Sequence, residues 1–264
     1  MMDWTSFRGS LAIFALTLTL PLSPSAQAAT SVYADTGGCN GLTPCYGTIQ
    51  EAVNNAGGGT STVYVFPGTW DESVDISLMG SSDGAQANLT LQAVDASGSP
   101  TVGGVTVSPA AGEAFFNSVD PFPFSLAVHG INVSSGSTDA IDIEGLTGDI
   151  LITDMTATGA TFDGIDIRSG GSIELRRVHA DANGNDGIQI RTVDTGDVTI
   201  TNSTANGNGT AGGGDGDGIL IELHDGSISL QNVDAGSNED DGIRIRPWSN
   251  YTLVAGPDQG LLIV

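Results

Sequence analysis

An alternation of apolar and polar residues recurs along the second half of the chain at intervals of about 23 residues. Most copies begin with Asp-Gly and continue with two isoleucines separated by one residue. Clear copies lie at residues 163–168, 186–191, 217–222 and 241–246, and a weaker copy lies at 139–144. A second apolar segment follows the copies, at 150–152, 173–175, 198–200 and 228–230. Because side chains alternate between the two faces of a strand, this pattern predicts short strands with one buried face.

One such repeat cannot bury its own apolar face, whereas stacked repeats can. The first isoleucines of successive copies are 24, 23, 31 and 24 residues apart, and the long interval holds a six-residue insertion within residues 206–216. The two-residue alternation and the many glycines exclude repeats built from helices. We therefore predict an all-β fold, a right-handed parallel β-helix that forms a three-sheet solenoid of about 23 residues per coil, over residues 61–264.

The first 28 residues have the pattern of a signal peptide. Arg8 precedes an apolar run at residues 11–20, which is too short to span a membrane, and Ala26-Gln27-Ala28 forms a small-x-small cleavage site. We expect cleavage before Ala29. The mature protein is then secreted, extracellular or attached to the cell surface, with no membrane span.

Residues 29–60 predict a cap on the open end of the solenoid. Residues 48–51 form a capping box, and the apolar Ile49, Ala52 and Val53 then share one face of a short helix. Cys39 and Cys45 are the only cysteines, and an oxidising compartment favours a disulfide between them. Free thiols or a pair of metal ligands are the alternatives.

Two segments carry a resemblance to a known superfamily. Thr-Ile-Gln-Glu-Ala-Val at residues 48–53 and Val-Tyr-Val-Phe-Pro-Gly-Thr-Trp-Asp-Glu at 63–72 resemble the N-terminal cap and first coil of the pectate-lyase-like superfamily. The Gly-Ile-x-Ile repeats are similar to its β-helix repeats. The resemblance implies the fold but leaves the activity open, because that superfamily includes lyases, hydrolases, epimerases, phage tailspikes and adhesins.

Charge narrows the range of partners. The formal net charge is −24, and the chain contains no lysine. Such a surface repels nucleic acid and anionic lipid, and it attracts divalent cations. Four of the six arginines that follow the predicted signal peptide lie in the repeats. These positive charges are therefore concentrated on one sheet of the predicted solenoid.

The residues between and after the paired isoleucines point outward, and stacking aligns them into two columns. The first column is Glu144, Arg168, Arg191, Glu222 and Arg246. The second column is Asp142, Asp166, Gln189, Leu220 and Arg244. We interpret this face as a groove for an acidic glycan, because arginine binds carboxylates in a bidentate manner. His224 and Trp248 lie near the strand ends, where both could contact the same ligand. The alternative is a ladder of charges that neutralise one another, with a solvated histidine and a tryptophan packed on the last coil.

Catalytic and metal roles can be assigned only by the resemblance. In lyases of this superfamily an arginine acts as the base and acidic residues bind calcium, which implies Arg244 or Arg246 as the base and Asp142 and Asp166 as ligands. Asp215 and Asp217, in and after the insertion, are a second possible acidic or calcium cluster, although ordinary Asp-Gly turns are the interpretation that we favour.

We therefore expect a secreted β-helix protein that binds a polysaccharide or cell-surface glycan, or that has a structural or adhesive role. The alternative is a calcium-assisted polyuronate lyase or glycoside hydrolase. No cofactor is certain, and Ca²⁺ is the one that the acidic residues suggest. The apolar residues 261–264 predict that the C-terminal end packs on a further domain or partner, or that the chain is a fragment.

Overall fold

The computed structural model describes residues 30–57, 60–78, 88–118, 123–210, 216–248 and 251–255. Short strands dominate it, together with one α-helix, α1 (Ile49–Asn55), and two single turns of 3-10 helix at Cys39–Gly41 and Ile76–Leu78. The strands are β1 (Thr30–Ala34), β2 (Cys45–Tyr46), β3 (Thr60–Val65), β4 (Gly68–Trp70), β5 (Val74–Asp75), β6 (Asn88–Ala93), β7 (Val105–Val107), β8 (Phe115–Phe116), β9 (Leu126–His129), β10 (Ile131–Ser134), β11 (Ile141–Leu146), β12 (Ile150–Thr158), β13 (Ile165–Ser169), β14 (Ile173–His179), β15 (Ile188–Thr192), β16 (Val198–Thr204), β17 (Ile219–Leu223), β18 (Gly226–Asp234), β19 (Ile243–Pro247) and β20 (Tyr251–Ala255).

The strands pair in parallel between successive coils and form three faces. The first face is a seven-stranded sheet in the order β19-β17-β15-β13-β11-β8-β5. The second face contains β1, β3, β6, β9 and the first halves of β12, β14, β16 and β18. The third face contains β4, β7, β10 and the second halves of the same four long strands. Each described coil from β3 to β19 thus contributes one strand segment to each face, as the predicted three-sheet solenoid requires.

The register on the first face follows the repeat of the sequence. Ile141, Ile165, Ile188, Ile219 and Ile243 are successive partners, so these coils take 24, 23, 31 and 24 residues. The first four of these isoleucines are 0% exposed. The inward apolar column therefore forms the core. Its side chains are buried because successive coils stack, which a single coil could not achieve alone.

The Asp-Gly pair that opens four of the five copies has a structural role. The carboxylate of each aspartate accepts the backbone N–H of the aspartate one coil later, at 2.6 to 2.9 Å, through the series Asp139, Asp163, Asp186, Asp217 and Asp241. The glycine allows close approach of the neighbouring chain, since a Cβ on Gly187 would lie 2.6 Å from the carbonyl oxygen of Ala180. These contacts explain why the repeat begins with Asp-Gly.

The N-terminal helix lies against the first strands. The Thr48 hydroxyl accepts the Glu51 N–H at 3.0 Å, and the Glu72 carboxylate accepts the N–H groups of Ile49 and Gln50 at 2.9 and 3.0 Å. Ile49, Ala52 and Val53 are buried. The parallel sheet begins upstream of this helix, because β1 pairs with β3.

The Cys39–Cys45 disulfide is present, with the two Cα atoms 5.9 Å apart. None of the helices in the described part of the chain has the length and apolar character needed to cross a bilayer.

Candidate functional site

The two outward columns predicted on the first face are in register. Glu144 pairs with Arg168, Arg168 with Arg191, and the column continues through Glu222 to Arg246. The neighbouring column runs in the same way from Asp142 to Arg244. It is less exposed than a simple outward position implies: Asp166 is 9% exposed and Leu220 is 3% exposed.

Arg191 lies within an ion-pair network that crosses four coils. Its Nη2 atom lies 2.9 Å from Oδ2 of Asp166, and its Nε atom lies 4.0 Å from Oε2 of Glu222. Glu222 in turn lies 3.5 Å from Nη1 of Arg246. This part of the face is the charge ladder that the sequence also allowed.

Arg168 does not take part in that ladder. Its guanidinium forms no hydrogen bond or ion pair with any residue that the structure describes, although Glu144 is its register partner. A β-bulge follows Glu144 at this point, where the register shifts between Glu144 and Leu146. Arg168 is thus a partly exposed cation with no ion-pair partner in the described part of the chain.

Arg168 and Arg191 line a cleft of about 230 Å³, here called the Arg168 cleft. Its remaining lining residues are Thr192, Val193, Glu222, His224 and Trp248. The Thr192 hydroxyl accepts the N–H of His224 at 3.0 Å, and the N–H of Trp248 donates to the Leu223 carbonyl oxygen at 2.8 Å.

Adjacent coils therefore hold the rim of the Arg168 cleft in place. The Trp248 side chain is 74% exposed at that rim. Sequence reasoning identified five of the seven lining residues and missed Thr192 and Val193, which directly follow Arg191 at the end of β15.

Arg244 and Arg246, the two arginines implied as a base, have different surroundings. Arg244 contacts three carboxylates, at 3.1 Å from Asp217, 2.8 Å from Asp240 and 2.8 Å from Asp241. These neighbours raise its pKa further above the usual range, although burial opposes them. A guanidinium held in this way is a poor proton acceptor. Arg246 is 45% exposed and lies beside Glu222.

The acidic residues beside Arg191 have raised pKa values. Burial, with a contribution from Glu144, raises the pKa of Asp142 to about 6. Burial raises the pKa of Asp166 to about 7, although Arg191 opposes the shift. One carboxylate oxygen of each, Oδ1, is buried and has no hydrogen-bond partner among the described residues. Burial therefore disfavours the charged form of both carboxyl groups.

The predicted calcium ligands do not form a cluster of the usual kind. Among the residues that the structure describes, no group of three or more His, Cys, Asp or Glu side chains is arranged to hold a metal ion. The Asp217 carboxylate accepts a hydrogen bond from the Asp241 N–H and forms an ion pair with Arg244. Asp215 lies outside the described residues, as do residues 261–264.

The family model described as "Right handed beta helix region" matches residues 97–256 of the chain. The protein belongs to the right-handed β-helix family. This match and the parallel strand stacking confirm the predicted fold, and they identify a β-helix repeat protein. No curated protein and no solved structure matches the chain.

Proposed function

We propose that this protein is secreted and binds an acidic polysaccharide, a polyuronate, through the Arg168 cleft. The observation that carries the proposal is the unpaired guanidinium of Arg168 in a cleft that also contains Arg191 and the exposed Trp248. A guanidinium binds a carboxylate with two parallel hydrogen bonds, and an indole ring offers an apolar face to a sugar. The protein as a whole repels anionic ligands, because its net charge is strongly negative. The unpaired arginine is therefore the specific feature that attracts a uronate to this cleft.

Calcium could strengthen such binding. Asp142 and Glu144 lie on the coil next to Arg168, and an ion held between them and a uronate carboxylate would reduce the repulsion between protein and ligand. We propose Ca²⁺ as a bridging ion supplied with the polysaccharide. Binding that is stronger with calcium than with a chelator is the expected sign of it.

The test is calorimetric titration with oligogalacturonates. Arg168→Ala removes a charge-assisted contact that contributes about 1.5–3 kcal/mol, so the Kd should rise about ten- to hundredfold. Trp248→Ala should weaken binding as well. Arg176→Ala is the matched control, because Arg176 is an exposed arginine of the second face that pairs with Glu174. Equal affinity of Arg168→Ala and the unmodified protein would contradict the proposal, as would an equal loss in Arg176→Ala.

A second candidate function is cleavage of the bound glycan by a lyase or glycoside hydrolase. The raised pKa values of about 6 for Asp142 and about 7 for Asp166 favour it, because a carboxyl group that titrates near neutral pH can act as a general acid. The test is incubation with polygalacturonate and alginate, with and without calcium. Unsaturated products, or new reducing ends, that disappear in Asp142→Asn would support catalysis. If no substrate gives such products, the catalytic function is refuted and glycan binding is the only proposed function that remains.

A further inference from the structure

The corner between the second and third faces is much longer in one described coil than in the others. Elsewhere in the described coils from β9 onward, a single residue with positive φ makes this corner: Gly130, Asp154, Arg177, Asn202 and Asn232. Between β6 and β7, by contrast, residues 94–104 make the connection. This segment, here called the corner loop, projects beside the neighbouring coils and has no role in the Arg168 cleft.

Backbone hydrogen bonds hold the corner loop in place. The N–H of Thr101 donates to the Ala93 carbonyl at 3.0 Å, and the N–H of Gly103 donates to the Gly130 carbonyl at 3.2 Å. Asn40 donates to the Ala96 carbonyl at 2.6 Å. A loop anchored to the coils on either side can form the fixed wall of a binding site.

Two cavities flank the corner loop, with volumes of about 280 and about 340 Å³. Both are lined by Val102 and Asp154, so the two cavities adjoin at these residues, and together they are here called the groove. Val102 is 67% exposed and presents an apolar surface to this groove. The groove lies on a different corner of the solenoid from the Arg168 cleft.

Two histidines in the groove are held in the same way. Nδ1 of His129 lies 2.8 Å from the Thr153 hydroxyl, and Nδ1 of His179 lies 2.9 Å from the Thr204 hydroxyl. In each case the threonine belongs to the next coil, so it fixes the orientation of the ring. Nε2 of each ring has no partner within the described residues, which leaves it able to bind a hydroxyl group.

The charged residues of the groove neutralise each other. Arg177 donates from Nε and Nη2 to the two carboxylate oxygens of Asp154, at 2.6 and 2.7 Å. The groove therefore contains hydrogen-bonding groups, but its cation is paired. This differs from the Arg168 cleft, where a guanidinium is unpaired.

We propose that the groove beside the corner loop binds a neutral oligosaccharide, with sugar hydroxyls on His129, His179 and the Asp154–Arg177 pair and an apolar sugar face on Val102. Polar side chains recur along the groove from coil to coil, at the spacing of about 4.8 Å between parallel strands, which is close to the length of one sugar unit. The cation of the groove is already paired, and the strongly negative protein repels a polyanion. A neutral ligand therefore fits the groove better.

The three histidines of the chain allow both sites to be followed in one experiment. His129 and His179 report on the groove, and His224 reports on the Arg168 cleft. We would record histidine ring NMR signals while adding cellohexaose, xylohexaose or mannohexaose, and separately a hexagalacturonate. At least one neutral hexasaccharide should shift the signals of His129 and His179 in a saturable manner and leave His224 unchanged.

No saturable shift of His129 and His179 with any of the three neutral probes would overturn the proposal. A shift of these two signals by hexagalacturonate alone would also overturn it. The outcome for His224 tests the proposed polyuronate site separately, so either proposal can fail without the other.

Val102→Asp is the informative variant, because Val102 is 67% exposed and its replacement should not disturb folding. It should raise the Kd for the neutral ligand at least tenfold without lowering the melting temperature. Phe162→Asp is the matched control, since Phe162 is a 53% exposed apolar residue that lines neither site. Equal affinity of Val102→Asp and Phe162→Asp would count against the groove.

Discussion

Arg244 offers a direct test of how charges are stabilised on the first face. We consider Arg244→Gln, which removes the cation that contacts Asp217, Asp240 and Asp241. The Asp217 side chain is 0% exposed, whereas those of Asp240 and Asp241 are 48% and 36% exposed. Water can replace the cation at the two exposed carboxylates but not at Asp217. The effect of the substitution therefore depends on one buried charge.

The expected loss of unfolding free energy is about 3 kcal/mol, the lower end of the range for leaving a buried charge without its partner. The lower end applies because Asp217 keeps the hydrogen bond from the Asp241 N–H at 2.9 Å. Arg246→Gln is the matched control on the same strand, since Arg246 is 45% exposed and 3.5 Å from Glu222. Such a pair contributes about 0–1 kcal/mol.

The assay is chemical denaturation of both variants at about pH 8 and about pH 5. Burial already raises the pKa of Asp217, and loss of Arg244 should raise it further. Asp217 can then take up a proton as the pH falls. The loss of unfolding free energy in Arg244→Gln should therefore be smaller at the lower pH. The double variant Asp217→Asn/Arg244→Gln should recover part of the loss at the higher pH. Equal stability of Arg244→Gln and Arg246→Gln would refute the reasoning.

Three further substitutions test other parts of the fold. Burial raises the pKa of Asp142 to about 6, so its contribution to stability is present while it is protonated and is lost as the pH rises through that value. Asp142→Asn should therefore raise the melting temperature at about pH 8 and leave it nearly unchanged at about pH 4, and the same gain at both would contradict this. Asn208→Ala should lower the unfolding free energy by about 1–3 kcal/mol, because the buried Asn183 N–H loses its acceptor at 2.9 Å. A smaller loss in denaturant titration would contradict this role of Asn208. Ile190→Ala should lower it by about 2–5 kcal/mol, since Ile190 is 0% exposed, whereas a neutral result would mean that the coil repacks.

The fold could be predicted from the sequence because its main signal is local and repeated. The alternation around Ile165 and Ile188 determines which side chains are buried, and the fixed interval determines which coils are neighbours. These two facts also place Arg168 next to Arg191. No knowledge of distant contacts was needed for that part of the site.

Pairing of side chains could not be predicted in the same way. Glu144 and Arg168 are register partners, yet their side chains form no ion pair. Arg244 was expected on an open groove, but carboxylates from adjacent turns surround it. Rotamers and turn geometry decide such contacts, and neither can be deduced from the spacing of residues.

The corner loop was missed for a related reason. Residues 94–104 have the composition of a turn, and only the alignment of coils shows that the coils from β9 onward make the same corner with one residue and the preceding coil with two. The upstream coils do not carry the Asp-Gly-Ile pattern, so their alignment is not evident in the sequence. An insertion can be detected only against a regular repeat, which explains why the one at 206–216 was found and this one was not.

The two clefts differ in how their arginines are paired, and this difference is the basis for assigning them different ligands. In an acidic protein without lysine, each arginine is surrounded by an excess of carboxylates, so an unpaired guanidinium is the exception. Arg177 follows the general pattern, with Asp154 bound to it on two atoms. Arg168 departs from it, although Glu144 is available on the next strand. Pairing a cation lowers its attraction for an anionic ligand while leaving outer N–H groups able to bind hydroxyls. The two proposals therefore assign a uronate to the unpaired arginine and a neutral sugar to the paired one.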